Sequence, residues 1–191
     1  MASYELEAFT PYPAVRIVVA TELILPASIK LLFFAMDPEQ HIDWQDYAPA
    51  KQQRQFSPQL GYQRQDFLWE QTCFELFVGI KDQDCYREIN LSPQLHWNCY
   101  AFDDYRQPRQ LPPQTAQDIE LISLQYSQNK LQVIVNLQQF IQQQDCYLED
   151  LKLGISSVIQ LKSSSQLLYA LQHSGTQADF HCRQDWIANF N

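Results

Sequence analysis

The arrangement of apolar residues constrains the fold of this sequence most strongly. Apolar residues alternate with polar ones or form short β-branched and aromatic runs, and polar or proline-containing breaks separate these runs. Alternation with period two places apolar side chains on one face of a strand, so the pattern indicates β-structure. Nine strands are predicted, at Val15–Leu25, Ile29–Ala35, Thr72–Ile80, Cys85–Leu91, Trp97–Phe102, Ile119–Ser127, Leu131–Leu137, Leu151–Leu161 and Leu167–Gln172.

Nine strands in a chain of 191 residues favour an all-β fold, a two-sheet antiparallel β-sandwich. No internal repeat and no linker rich in glycine and serine divides residues 1–191, so a single domain is expected. The segment Arg183–Phe190 is predicted to form a short C-terminal helix with Trp186 and Phe190 facing inward. The long polar segment Asp37–Asp66 is a candidate wall of a binding groove.

The charge of the chain bears on its partners. A formal net charge of −9 repels nucleic-acid phosphates and anionic lipids, and the cation pairs at Lys51–Arg54 and Arg106–Arg109 are interpreted as solvated loop charges. Nucleic acid is therefore not an expected partner. A secretory signal begins with a positively charged region, but Met1–Pro13 contains no lysine or arginine. No apolar run approaches the roughly 20 residues that span a bilayer. We expect a cytoplasmic protein that does not enter the membrane.

Two of the predicted strands are joined by a polar turn at Lys81–Asp84. Antiparallel counting from this turn places Phe77 opposite Glu88 and Glu75 opposite Asn90. This register separates the strands into two faces. The core face is predicted to contain Phe74, Leu76, Val78, Ile89, Leu91, Trp97, Cys99 and Ala101. The second face is predicted to contain Glu75, Phe77, Tyr86, Glu88, Asn90, Ser92, Asn98, Tyr100 and Phe102.

The second face mixes carboxylates and amides with aromatic rings, which is unusual for a solvated sheet face. Sugars present apolar C–H patches between hydroxyl groups, and a site for them combines flat rings with planar polar groups. The composition of this face therefore indicates a recognition surface for a sugar-like ligand.

Three alternatives remain open at this point. Glu75, Glu88, Asn90 and Arg106 could form a buried polar network that stabilises the fold. The Glu75 and Glu88 pair could also act as general acid and base in an enzyme that processes a sugar derivative, because two close carboxylates raise one pKa. In the third alternative, an exposed sheet face or edge strand meets another chain, for example in a homodimer.

A series of motif residues occurs in a characteristic order along the chain. The series is Leu68, Trp69, Thr72, Cys73, Phe74, Glu75, Tyr86, Glu88, Asn90, Ser92, Pro93, Trp97, Tyr100, Phe102, Tyr105, Arg106, Gly154, Ile155, Ser156, Val158, Tyr169, Ala170, Leu171, Asp179, Phe180 and His181. It resembles DOMON-like bacterial proteins related to family-nine carbohydrate-binding modules, over roughly residues 15–190. The resemblance implies a β-sandwich whose relatives bind sugars in an aromatic cleft or hold haem. Trp69 then corresponds to a tryptophan that precedes the acidic strand in the sugar-binding relatives.

The resemblance does not assign a cofactor. Calcium remains possible, although the sugar-binding relatives have calcium sites rich in aspartate and this chain has no dense aspartate run. Haem is less favoured than a sugar, because Met36 is the internal methionine and the four histidines lack a recognisable ligand spacing. The Asp179–His181 motif is interpreted as a structural staple.

These observations together predict a small-molecule binding module whose ligand is a carbohydrate or a sugar-like compound. No catalytic residue and no metal ligand is assigned. The residues predicted to contact the ligand are Trp69, Glu75, Tyr86, Glu88, Asn90, Tyr100 and Arg106.

Overall fold

The computed structural model describes residues 1–24, 26–44 and 62–188, and the structural statements below concern these residues. The strands are β1 (Ala2–Ala8), β2 (Arg16–Ile24), β3 (Ser28–Met36), β4 (Gln63–Arg64), β5 (Cys73–Ile80), β6 (Tyr86–Leu91), β7 (His96–Phe102), β8 (Glu120–Ser127), β9 (Lys130–Asn136), β10 (Leu151–Gln160) and β11 (Gln166–Ala170). The helical elements are α1 (Gln138–Gln143) and single 3₁₀ turns at Leu68–Glu70, Leu148–Asp150 and Arg183–Asp185. No helix in the described ranges is long and apolar enough to cross a membrane.

The strands form one continuous sheet in the order β4-β7-β6-β5-β10-β11-β1-β2-β3-β9-β8. Strand β1 joins its two halves, because Ala2–Leu6 pair with β2 whereas Glu7 and Ala8 pair with β11. Neighbouring strands are antiparallel except for β4 and β7, which are parallel. The all-β prediction is confirmed. The two-sheet arrangement is not confirmed, because β1 makes both halves a single mixed sheet.

The sheet curls so that its two halves face each other across a shared core. Phe33 on β3 and Phe74 on β5 lie far apart in the strand order, yet their ring centroids are 4.9 Å apart. In β2 the buried side chains Ile17 and Val19 alternate with more exposed neighbours, as expected for a strand with one face on the core. Burial of this apolar face is the main contribution to the stability of the fold.

Strand β5 is buried at all eight positions, so both of its faces are covered. The core covers one face, and the C-terminal segment covers part of the other, where the Trp186 ring lies 5.4 Å from the Phe77 ring. The indole can approach because Gly79 and Gly154 have no side chain. A Cβ added at Gly79 would lie 2.9 Å from Trp186 Cζ3, and one added at Gly154 would lie closer still to the indole.

All nine predicted strands are present, with ends that differ by a few residues. The predicted pairing of Phe77 with Glu88 and of Glu75 with Asn90 is confirmed. Strands β1 and β4, helix α1 and the 3₁₀ turns at Leu68–Glu70 and Leu148–Asp150 were not predicted. The α1 sequence contains several glutamines, and Phe140 within it is fully buried.

The predicted C-terminal helix over Arg183–Phe190 is not confirmed. Only Arg183–Asp185 form a single 3₁₀ turn, after which Ala188 makes a bridge to Leu153 on β10. Backbone pairing with the sheet therefore replaces continuation of the helix. Trp186 is buried as predicted, with 3% of its surface exposed. Leu25, Phe190 and residues 45–61 of the predicted groove wall lie outside the described residues.

Candidate functional site

A pocket of about 510 Å³ lies on the outer face of β5, β6 and β10, the face opposite the core. Its floor contains Glu75, Phe77 and Glu88. Its walls include Trp69 from the first 3₁₀ turn, most of residues 105–113 from the loop after β7, and Ala178, Phe180 and His181 from the C-terminal segment. The volume falls within the range of small-molecule sites in proteins.

Two buried carboxyl groups form the polar part of the floor. The Ser156 hydroxyl donates a hydrogen bond to Glu75 Oε2 at 2.8 Å. The Asn90 amide donates a hydrogen bond to Glu88 Oε1 at 2.8 Å. Only 2% of Glu75 and 6% of Glu88 are exposed, so a neutral donor satisfies one oxygen of each carboxyl while most of each group is withdrawn from water.

Burial shifts the titration of both acids. It raises the pKa of Glu75 to about 8; the negative charge of Glu88 adds to this effect, and the hydrogen bond from Ser156 opposes it. Burial also raises the pKa of Glu88 to about 7, against the hydrogen bond from Asn90 and the positive charge of Arg106. The pair therefore retains a proton near neutral pH, and the floor can both donate to and accept from ligand hydroxyl groups.

Neither acid forms an ion pair with an arginine in the part of the chain that the structure describes. Arg87 instead pairs with Asp118 at 2.7 Å. Arg106 pairs with Asp179 at 2.9 Å. The Asn90 amide binds Glu88, as the alternative of a buried polar network expects, whereas Arg106 binds neither acid.

Tyr86 and His181 are hydrogen-bonded to each other, and the His181 ring also lies close to Glu88. The Arg106 backbone N–H donates to the Tyr86 hydroxyl at 3.1 Å, and that hydroxyl lies 2.6 Å from His181 Nδ1. Because burial and the charge of Arg106 lower the pKa of His181 to about 3, the ring is neutral. Either the Tyr86 hydroxyl or the Nδ1–H group donates in this bond, depending on which ring nitrogen carries the proton. Nε2 lies 3.6 Å from Glu88 Oε2, so this contact joins a neutral ring to the carboxyl.

The structure separates the seven predicted site residues into two groups. Those that line the pocket are Trp69, Glu75, Glu88 and Arg106. Those that are fully buried and lie outside its lining are Tyr86, Asn90 and Tyr100. Each of the buried three supports a lining residue: Tyr86 contacts His181, Asn90 binds Glu88, and the Tyr100 ring lies 5.6 Å from the Trp69 ring.

The sequence interpretation missed several wall residues. Arg109 lines the pocket, although the cations of Arg106–Arg109 were interpreted as solvated loop charges. His181 also lines the pocket, although its motif was interpreted as a staple, and Asp179 does serve as one through its bond to Arg106. Arg109 is separated in sequence from the strands that carry Glu75 and Glu88, and no local sequence pattern indicated that it would lie beside them.

The described ranges contain no group of three or more histidine, cysteine, aspartate or glutamate side chains arranged to hold a metal ion.

Comparison with known proteins shows that this chain has a fold similar to that of a solved structure. No protein-family model matches the chain, and no curated protein matches it. Among solved structures the chain is similar to a crystal structure from Bacteroides uniformis ATCC 8492, described as that of a putative carbohydrate-binding protein. The TM-score is 0.61 at 10% sequence identity, with 97% of this chain and 84% of that chain covered. At this identity the likeness shows a shared fold.

Proposed function

We propose that the pocket binds a carbohydrate or a sugar-like small molecule. The observation that carries this proposal is the floor of the pocket, where two buried carboxyl groups lie within a wall of aromatic rings. Trp69, Phe102, Tyr105 and Phe180 all contribute to the lining. Aromatic rings pack against the C–H faces of a sugar, and carboxyl groups bind its hydroxyls from a fixed direction.

Two further observations support the proposal. The description of the Bacteroides uniformis protein names carbohydrate binding, and its fold is similar over almost the whole of this chain. The motif residues also resemble DOMON-like proteins related to family-nine carbohydrate-binding modules, in which Trp69 has a counterpart. The resemblance contributes the expectation that Trp69 is a stacking residue.

The proposal predicts that a sugar stabilises the folded protein. A ligand present at 100 times its Kd adds about 2.7 kcal/mol to the free energy of unfolding. A panel of mono- and disaccharides at millimolar concentration, followed by thermal denaturation and calorimetry, should identify at least one such ligand. Trp69→Ala should abolish the effect. Trp44→Ala removes a half-buried indole outside the pocket and should preserve it. Unchanged stability across the whole panel would contradict carbohydrate binding.

The second candidate function is acid–base catalysis on a sugar derivative by Glu75 and Glu88. It is favoured by a specific observation: both acids line the pocket, and neither is paired with an arginine in the described ranges. A carboxyl with a raised pKa can act as a general acid near neutral pH. Turnover of chromogenic glycosides that is lost in Glu75→Gln and Glu88→Gln would favour this candidate. Binding without turnover would favour a binding module.

Two other expectations remain proposals. The first is that the chain forms a homodimer through its aromatic-rich side or an edge strand, in which case its sedimentation coefficient should depend on concentration. Sedimentation of a monomer alone at high micromolar concentration would contradict the homodimer. The charge of −9 continues to disfavour nucleic acid as a partner, and we propose a cytoplasmic location.

A further inference from the structure

The pocket of this acidic chain contains two arginines as well as the two buried acids of its floor. The chain has a formal net charge of −9, yet two arginines, Arg106 and Arg109, line the pocket. Arg106 is neutralised by Asp179, with its Nη2 atom 2.9 Å from Asp179 Oδ1. Arg109 is exposed, and no other described residue forms a hydrogen bond or an ion pair with its guanidinium. Arg109 therefore contributes to the pocket wall a positive charge that has no acidic partner among the described residues.

The two acids of the floor do not neutralise this charge. Glu75 and Glu88 are buried, and each already accepts a hydrogen bond from a neutral donor. Burial raises the pKa of both groups, so the pair carries less negative charge at neutral pH than two exposed carboxylates would. The pocket thus combines an uncompensated cation on its wall with hydroxyl-binding groups on its floor.

The loop that carries Arg109 is held in place at Arg106. The Gln107 N–H donates to the Asp104 carbonyl and the Asp103 N–H donates to the Gln107 carbonyl, each at 3.0 Å, which closes a tight turn. Arg106 has a φ of 52°, in the left-handed region that is unfavourable for a non-glycine residue. Its backbone N–H is fixed on the buried Tyr86 hydroxyl. These contacts set the start of the loop, and Arg109 follows three residues later.

We propose that the ligand of this pocket is an anionic sugar, one that carries a carboxylate or a phosphate group. The charged group contacts Arg109, and the ring hydroxyls contact Glu75 and Glu88. A guanidinium is a planar fork that forms paired hydrogen bonds with either anion, so both groups fit the same recognition chemistry. The inference rests on the proposed carbohydrate-binding function and specifies the class of sugar.

The test is isothermal titration calorimetry with three matched sets of probes. The sets are D-glucose, D-galactose and D-mannose, the three corresponding hexuronic acids, and the three corresponding hexose 6-phosphates. We expect at least one anionic sugar to bind tenfold or more tightly than its neutral parent at low salt. The preference should decrease between 20 and 200 mM salt, because salt screens a partly exposed charge pair. The tighter of the two anionic sets identifies the charged group as carboxylate or phosphate.

Arg109→Gln should reduce the affinity for the anionic sugar to that of the neutral parent, while leaving the thermal stability of the free protein unchanged. Lys130→Gln removes one positive charge from β9, in the other half of the sheet, and should leave the preference intact. Neutral hexoses that bind as tightly as their anionic counterparts would overturn the inference and leave the proposed function standing. A preference that persists in Arg109→Gln would also overturn it. Failure of all nine probes to bind would count against carbohydrate binding itself.

Discussion

At the scale of single residues, the buried acids on the pocket floor make the stability of this protein depend on pH. Burial raises the pKa of Glu75 to about 8 and that of Glu88 to about 7, whereas an unfolded glutamate titrates near 4.3. Between these values the folded state binds more protons than the unfolded state. The free energy of unfolding should therefore be highest at the acidic end of this window and fall as the pH rises from about 4.5 to about 8.

Glu75→Gln tests this linkage directly. The glutamine oxygen can still accept the hydrogen bond from Ser156, but the side chain no longer titrates. The variant should lose less stability than the wild type between pH 5 and pH 8, with a difference on the order of 1–3 kcal/mol across the window. Urea denaturation at several pH values measures it. Glu70→Gln alters an exposed carboxylate and should give a curve parallel to that of the wild type. A parallel curve for Glu75→Gln would contradict the assignment.

The same residues show what the sequence reveals about the site. Antiparallel counting was sufficient to place Glu75 beside Asn90, because strand geometry fixes which side chains share a face. Counting could not show which members of that face would line a pocket. Asp66 accepts the hydrogen bond from the Tyr100 hydroxyl, and His181 contacts the Tyr86 hydroxyl, so segments distant along the chain cover part of the face. Long-range packing of this kind has no local signal in the sequence.

At the scale of elements, the C-terminal segment is attached to the sheet by Trp186 and Arg183. The Arg183 guanidinium donates to the Ile80 carbonyl at 2.6 Å and to the Asp84 carbonyl at 3.0 Å, which joins the segment to the turn between β5 and β6. The Trp186 indole donates to the Phe180 carbonyl at 2.8 Å. The segment thereby holds the pocket wall that contains Phe180.

Gly154→Ala should displace this segment. The added methyl group would overlap the Trp186 indole, and overpacking of a buried site costs roughly 1–3 kcal/mol. Urea denaturation and tryptophan fluorescence should report a less stable protein with a shifted Trp186 environment. In a Trp186→Leu background the same glycine substitution should cost less, because its steric partner has been removed. Equal costs in the two backgrounds would show that the indole does not require the glycine.

Strands were easier to predict than the chain ends. Periodic apolar residues identified all nine long strands between β2 and β11, since a strand with a buried face must alternate. The two-residue strand β4 is too short to show a period. The segment that begins at Arg183 has helical spacing of Trp186 and Phe190, but pairing of Ala188 with Leu153 ends the helix after one turn. Tertiary contacts overrode the local pattern at this point.

At the scale of the whole molecule, one buried ion pair joins the two halves of the curled sheet. Arg87 lies on β6, whereas Asp118 lies two residues before β8, in the segment that leads from β7 to the other half of the sheet. The guanidinium donates to both Asp118 oxygens, and its central carbon lies 5.0 Å from the centre of the Phe140 ring. The side chains are 11% and 6% exposed, so the pair is largely withdrawn from water. Removal of one partner would leave an uncompensated charge at the junction of the halves.

Asp118→Ala should therefore destabilise the whole domain by about 3–5 kcal/mol, the usual cost of breaking a buried pair. Arg87→Met combined with Asp118→Leu should cost much less, because neither charge is then left buried without a partner.

Because β1 joins both halves into one sheet, far-UV circular dichroism and tryptophan fluorescence should give coincident urea transitions in the wild type and in both variants. Glu5→Ala, which breaks an exposed pair with Arg16, should have little effect on the midpoint. Separate transitions for the two probes would contradict the single-domain prediction. A double variant as unstable as Asp118→Ala would show that the unpaired charge on Arg87 does not cause the loss of stability.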